Sequence, residues 1–233
     1  MIPIICVTVW ANMPSKKISF KKIVIPLAAA LLVLVAAVAV VLFATAPISQ
    51  HKAVAFVDDY PIYAGEMMLA VEQIKSDTVM YFIDTYGAVQ NKTFWEQEYG
   101  GENPREKLIT DALELAARYK KEQIMMLDYG VITEAEMVFE AFCKEFYTEN
   151  RERLAADKKG ETIYGPVQYT KQGYYDYLHN NRITDLKWEV NKKITGDTSL
   201  TYESENFEQQ YDAHYKDKKI IREDDALSKL DIK

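Results

Sequence analysis

The sequence predicts a mainly α-helical protein, with an N-terminal transmembrane helix followed by a helical domain that contains one short β-hairpin. Three observations lead to this class. Residues 23–46 form an unbroken apolar run without a charge. Several later segments repeat apolar residues at helical spacing, between residues typical of helix caps. Residues 54–63 combine β-branched and turn residues in the order of a hairpin.

Residues 23–46 are predicted to cross a membrane as an uncleaved signal anchor. About 20 helical residues cross a hydrocarbon core of roughly 30 Å, so this run is long enough. Four lysines stand just before it: Lys16, Lys17, Lys21 and Lys22. Because basic residues near the first span favour the cytoplasmic side, residues 1–22 are expected to be a cytoplasmic basic segment. The rest of the chain is then extracytoplasmic, and the lipid bilayer is one expected partner.

The alternative for this run is a signal peptide cleaved near Ala46. Residues 44–46 read Ala-Thr-Ala, which imitates a small-residue cleavage site. The run is longer than a usual signal-peptide core and Pro47 follows the candidate bond, so an anchor is the favoured interpretation. The start is open as well, because Met13 begins a conventional basic segment after an apolar stretch.

The outer domain begins with the hairpin. Residues 54–57 and 62–63 are predicted to be two strands joined by a turn. A helix is predicted from about residue 65 to residue 86, and Gly87 ends it. Residues 88–102 lack helical period, so they are predicted to form a loop. The aromatic residues of this loop are expected to pack against the domain.

The following helix has the clearest signals. Asn103 supplies an N-cap, Pro104 takes the first helical position, and Glu106 adds an acidic residue to the first turn. Apolar residues then recur at helical spacing: Leu108, Ile109, Ala112, Leu113, Leu115, Ala116 and Tyr119. This helix is predicted to reach Leu127, and Gly130 closes it.

The next predicted helix follows a capping box made by Thr133 and Glu136, and it stops at Gly160. Its predicted buried stripe is Met137, Val138, Ala141, Phe142 and Phe146. After a loop, Thr170 is predicted to cap a fourth helix of the domain. The apolar side of that helix is Tyr175, Leu178, Leu186, Val190 and Ile194.

A last helix is predicted over residues 202–219. The segment after it, residues 220–233, is rich in charge and poor in apolar residues, so it is predicted to be a charged tail. The helical domain is therefore bounded at residues 53–219.

Composition excludes several classes of protein. The chain after residue 46 holds all 35 acidic residues but only 24 of the 28 basic ones, which gives it a formal charge of −11. Such a charge argues against binding to nucleic acid and against docking on an anionic membrane surface. Cys6 and Cys143 lie on opposite sides of the predicted membrane, so no internal disulfide is expected in the outer domain.

The residue types needed for catalysis are scattered along the chain. His51, His179 and His214 are too few and too scattered for a predicted metal site. His51 lies in the tether before the domain, and His179 and His214 are predicted to be solvated. Cys143 lies beside the apolar side of a helix and is read as a small buried thiol. Common motifs for zinc, phosphate and nucleophilic serine do not occur. We therefore predict no catalytic residue, no metal and no cofactor.

Two ordered motifs and a weaker third resemble extracytoplasmic chaperones of the SurA and PrsA type. The stretch VAFVDDYPIYAGEMMLAVEQ resembles the opening hairpin and helix of that family, and KLITDALELAARYKKEQIMMLDYGVITEAEM resembles a later helix. The positions that match are Val54, Ala55, Val57, Asp58, Ile62 and Glu66, then Leu108, Ile109, Leu113, Gly130, Val131, Thr133 and Glu136. ENFEQQYDAHY is similar to the helix that precedes the family's isomerase module.

The resemblance implies a helical, SurA-N-like domain that binds unfolded or secreted polypeptides. No segment matches the parvulin-type isomerase module, so no catalytic residue is carried over. Adaptable methionines and amphipathic aromatics are the candidate peptide-binding residues. They are Met67, Met68, Trp95, Tyr119, Met125, Met126, Tyr174, Tyr175 and Trp188.

Three functions stay open at this point. The first is a membrane-anchored chaperone without its own isomerase. A homodimer is compatible with this function. The second is a member of the peptidyl-prolyl isomerase family with a degenerate or missing catalytic domain. The third is an envelope adaptor that docks one folded partner.

Overall fold

The computed structural model describes residues 48–196 and 205–232. Within them lie seven α-helices and three β-strands, so the mainly helical class is confirmed. The elements are β1 (Ala53–Val57), β2 (Tyr60–Tyr63), α1 (Ala64–Tyr86), α2 (Pro104–Asp128), α3 (Phe139–Lys158), α4 (Lys171–Tyr177), α5 (Ile183–Thr195), α6 (Glu205–His214), β3 (Ile220–Arg222) and α7 (Asp224–Leu227). The predicted anchor over residues 23–46 lies outside the described residues. Among those described, no helix has the length and apolar character needed to cross a membrane.

The predicted hairpin forms, and a third strand joins it. β1 pairs antiparallel with β2 on one side and with β3 on the other, which gives the strand order β2-β1-β3. Asp58 makes the tight turn between β1 and β2 with a φ of 51°. Its carboxylate accepts hydrogen bonds from the Lys218 ammonium at 2.9 Å and from the Lys219 amide at 3.1 Å. The turn is thus tied to the start of β3.

The prediction of a charged tail over residues 220–233 is wrong. β3 comes from this segment, and α7 and the residues after it bury four apolar side chains, Ala226, Leu227, Leu230 and Ile232. The Arg105 guanidinium on α2 donates to the carbonyl oxygens of Ser228 at 3.1 Å and Leu230 at 2.7 Å. The segment is part of the domain because most of its apolar residues face the core.

The two long helices α1 and α2 follow the predicted caps. The Asn103 side chain accepts from the Glu106 amide at 3.1 Å, and Pro104 is the first residue of α2. Gly87 ends α1 in the left-handed conformation, with a φ of 64°. These helices pack on each other and on the sheet. Their shared core includes the fully buried side chains Ile62, Met67, Leu108, Ile109, Ile124, Met125 and Met126.

Three later boundaries differ from the prediction. The capping box of Thr133 and Glu136 forms, but it caps the start of a short 3-10 turn over Glu134–Glu136. The helix α3 begins only at Phe139. The predicted fourth helix is divided into α4 and α5 by a π-helical turn over Leu178–Arg182. The last predicted helix ends at His214 instead of residue 219, since the chain must turn there to enter β3.

Candidate functional site

The candidate site consists of two concavities on either side of the segment Met137–Val138. We call the first the helical groove. It has a volume of about 130 Å³ and is enclosed by α2, α3, the π-helical turn and α5. Its apolar walls include Met126, Ile132, Phe142, Leu178, Ile183 and Leu186.

We call the second concavity the hairpin cleft. It has a volume of about 360 Å³ and lies between β2 and the turn Glu134–Glu136. Tyr60, Pro61 and Tyr63 form its hairpin side. Met137 and Val138 line both concavities, and Val138 is 37% exposed although it sits on the predicted buried stripe. Val138 is therefore an apolar side chain held at the border between two openings.

A buried ion pair holds the segment Met137–Val138 in place. The Lys120 ammonium on α2 donates to the Glu66 carboxylate on α1 at 2.9 Å and to the Met137 carbonyl oxygen at 3.0 Å. Glu66 also accepts from the Tyr63 amide at 2.8 Å. Lys120 is almost fully buried, so these bonds replace the water that its charge loses. One lysine thus joins both long helices to the border segment of the site.

An aromatic layer fixes one wall of the helical groove. The Phe139 ring stacks on the Phe142 ring with centroids 5.5 Å apart, and Phe142 meets Tyr175 edge-on at 5.8 Å. Phe139 occupies the space left by Gly65 in the first turn of α1, where an added Cβ would overlap the ring. The missing side chain of Gly65 is therefore what lets α3 pack so closely on α1.

His179 belongs to the same wall, and the expectation that it is solvated is wrong. Its ring stacks on Tyr119 with centroids 3.9 Å apart and meets Tyr175 at 4.2 Å. Burial, with a smaller contribution from the positive charge of Lys187, lowers the pKa of His179 to about 4. The imidazole is therefore neutral at pH 7 and acts as an aromatic surface. His214 is exposed, as expected.

The charged residues that line the site are mainly acidic. Glu136 and Glu145 border the helical groove, and Asp59 and Glu134 border the hairpin cleft. Lys120 is the one basic residue among the described lining residues, and its charge is matched by Glu66. The openings therefore offer apolar walls inside a negatively charged border.

The described residues give no arrangement for covalent or metal chemistry at this site. Burial raises the pKa of the Cys143 thiol, which keeps it protonated at neutral pH. In the described ranges, no group of three or more His, Cys, Asp or Glu side chains is placed to hold a metal ion. The site is suited to binding apolar groups.

The structure brings three of the nine predicted binding residues to this site. Met126 and Tyr175 line the helical groove, and Tyr119 stacks on His179. Two others, Met67 and Met125, are fully buried in the core.

The other four predicted residues lie elsewhere. Met68 and Trp95 pack against the main core, and Trp95 also contacts the separate cluster of Phe94. Tyr174 is buried in the contact between α3 and α4. Trp188 lies under the Lys192 ammonium, which is 3.2 Å from the ring centroid. These residues do not form one groove.

Sequence reasoning missed Lys120, Val138 and His179 as site residues. A signal was present for two of them. Lys120 follows Ala116 by four residues on the apolar side of α2, and His179 follows Tyr175 by four. A polar residue on an apolar side indicates a buried polar contact, whereas the exposure of Val138 depends on how α3 begins.

Comparisons of this chain with protein-family models, characterised proteins and solved structures find no match. The fold and the site define a mainly α-helical domain with a three-stranded sheet and an apolar, acid-bordered groove. The function is therefore argued from that site.

Proposed function

We propose that the chain is a membrane-anchored, extracytoplasmic chaperone that holds unfolded or translocated polypeptides. Its domain is SurA-N-like. The observation that carries the proposal is the pair of apolar concavities that meet at the exposed Val138. An extended chain crossing this border places side chains in both openings, as unfolded clients require of a binding surface.

Further apolar exposure supports a holding function. On α3 and the loop after it, Tyr147 is 62% exposed and Tyr164 is 86% exposed. Aromatic side chains with a polar tip tolerate water and still bind apolar groups, so they suit repeated capture and release. Tyr147 lies on the helix that begins beside the helical groove, and Tyr164 lies in the loop that follows this helix.

The acidic border suggests the chemistry of the client. Apolar side chains would enter the two openings, while lysine or arginine residues beside them would meet the carboxylates of Asp59 and Glu134. Acidic clients would be repelled. We therefore propose that the preferred segments are apolar stretches with basic neighbours.

An aggregation assay tests the holding function. Residues 47–233 are mixed with a reduced, unfolded client, and light scattering is followed as the client aggregates. We expect suppression at equimolar or slightly higher concentration. Continued aggregation at several-fold excess would contradict the proposal. A parallel proline-isomerisation assay on a short peptide should show no catalysis, and catalysis there would favour the isomerase interpretation.

A peptide pair tests the client chemistry. Two fluorescent peptides share one apolar core and carry either lysines or glutamates on both sides. Fluorescence anisotropy should give tighter binding for the lysine peptide, and raised salt should reduce the difference. Equal binding of both peptides would contradict the role of the acidic border while leaving the holding function open to the first assay.

The anchor over residues 23–46 is tested by topology. A C-terminal tag on the full chain should be accessible to protease in intact spheroplasts and should stay with the membrane. Replacing the four lysines before the run by glutamate should disturb that orientation. A protected tag on the unmodified protein would place the domain in the cytoplasm. A tag released into the medium would show cleavage near Ala46.

A further inference from the structure

The two edges of the sheet differ in how they meet solvent. On β2, Pro61 pairs opposite Phe56 and has no backbone N–H, which prevents the addition of another strand at that point. On β3 every residue has its N–H, and Ile221 is 40% exposed. The edge formed by β3 therefore lacks the protection that proline gives to β2.

The hydrogen-bond pattern shows which groups of β3 face the open side. The Asp58 amide donates to the Lys219 carbonyl at 2.9 Å, and the Glu223 amide donates to the Val54 carbonyl at 3.0 Å. Between these bonds, Ile221 pairs with Phe56. Because an antiparallel ladder alternates, the backbone groups of Ile220 and Arg222 point away from β1.

The charges around β3 would complement those of a second copy that pairs with it antiparallel. The segment reads Lys-Lys-Ile-Ile-Arg-Glu-Asp-Asp, with basic residues before the strand and acidic ones after it. When two copies pair antiparallel about Ile221, residue 219 of one copy lies opposite residue 223 of the other. Lys219 and Glu223 are both exposed. Lys218 is already bonded to Asp58, so Lys219 and Glu223 are the pair that self-association adds.

We propose that β3 pairs antiparallel with β3 of a second copy of this chain, about a two-fold axis at Ile221. The outward groups of Ile220 then bond those of Arg222 in the partner, and the two sheets join into one of six strands. The two Ile221 side chains meet on the outer face, next to Phe56 and Pro61, which share that face by register. The apolar row made by the partly buried Phe56 and Pro61 and the exposed Ile221 is thereby continued by the same row of the other copy.

Disulfide crosslinking tests the register in the full chain, with Cys6 and Cys143 replaced by serine. The two residues at position 221 form a pair without backbone hydrogen bonds, for which the Cα atoms lie about 4.5 Å apart. This separation suits a disulfide. Ile221→Cys in membranes should give a crosslinked dimer on mild oxidation. Lys219→Cys alone should not, but a mixture of Lys219→Cys and Glu223→Cys chains should.

Charge reversal provides a second test that needs no cysteine. Lys219→Glu and Glu223→Lys each place like charges opposite one another at two symmetric positions. Each should raise the dimer dissociation constant on the order of tenfold, and the combined exchange should restore it. Sedimentation of the full chain in detergent measures these constants.

Two results would overturn the proposal. One is an Ile221→Cys chain that forms no dimer, or forms no more than Lys219→Cys alone. The other is a dissociation constant that is the same in all three charge variants. An Ile221→Cys chain that crosslinks to a cysteine-bearing extended peptide but not to itself would assign the edge to a client instead of a second copy.

Discussion

The Lys120 ammonium lies 2.9 Å from the Glu66 carboxylate, and this bond joins the middle of α2 to the first turn of α1. The pair is largely buried, since only 3% of the Lys120 side chain and 16% of the Glu66 side chain are exposed. Lys120 also holds the Met137 carbonyl, so the same charge supports the border of the candidate site. Stability and site geometry therefore depend on one contact.

Loss of one partner of this pair should be strongly destabilising. Lys120→Met removes the cation that pairs with the buried Glu66 carboxylate and the donor to the Met137 carbonyl, and we expect a loss of about 3–5 kcal/mol in the free energy of unfolding. Lys120→Met combined with Glu66→Leu should cost less than Lys120→Met alone. Urea unfolding followed by circular dichroism measures both. As a control, Lys216→Met removes an exposed pair with Asp212 and should cost less than about 1 kcal/mol.

Gly65 should not tolerate alanine. In most helices this change stabilises by about 1 kcal/mol, but here the new Cβ overlaps the Phe139 ring. We expect a net loss of about 1–3 kcal/mol, because α3 must shift or the ring must leave its rotamer. Gly173→Ala in α4 is the matched control, since its nearest neighbour is the end of the Thr170 side chain. Equal effects at the two glycines would contradict the close contact between α1 and α3.

The sequence was a good guide where structure is decided locally. The caps at Asn103 and Gly87 act within one turn of their helices, so the start of α2 and the end of α1 were predicted closely. β3 was missed because it is only three residues long and its partner Phe56 lies at the other end of the domain. No local pattern identifies such a pairing.

The site was harder to predict than the fold. Methionine and aromatic content does not distinguish a groove from a core, and Met67 and Met125 proved to be core. Residues such as His179 gain their role from tertiary neighbours, since the ring that covers it comes from Tyr119 on another helix. Whether an apolar residue faces a cavity or the interior depends on how helices pack.

The C-terminal segment should be essential for stability. Leu227 is almost fully buried, so Leu227→Ala should reduce the free energy of unfolding by about 2–5 kcal/mol. Lys229→Ala, two residues away and exposed, should change it by less than about 0.5 kcal/mol. Thermal or urea unfolding distinguishes the two. If Leu227→Ala leaves the free energy of unfolding unchanged, the C-terminal segment does not contribute to the core.

His179 should make the domain less stable in mild acid. Its pKa falls from 6.5 to about 4 on folding, so the unfolded chain binds more protons between these values. Above about pH 6.5 this group does not reduce the free energy of unfolding. As the pH falls toward 4, protonation of the unfolded chain reduces that free energy by as much as about 3 kcal/mol. His179→Phe keeps an aromatic ring and should remove this part of the pH dependence. His214→Gln, at an exposed site, should not, and urea midpoints between pH 4.5 and 7 compare the three proteins.

Val138 should matter for client binding and little for stability. It is 37% exposed at the border of both openings, so Val138→Asp adds a charge to the proposed binding surface without disturbing the core. We expect the dissociation constant of the lysine-flanked peptide to rise about tenfold, because an aspartate there must be desolvated when an apolar side chain covers it. The free energy of unfolding should change by less than about 1 kcal/mol. Val89→Asp is the matched control: Val89 is 69% exposed and lines neither opening. If both substitutions leave anisotropy titrations unchanged, clients bind at a different surface, with the exposed tyrosines of α3 and its loop the next to be replaced.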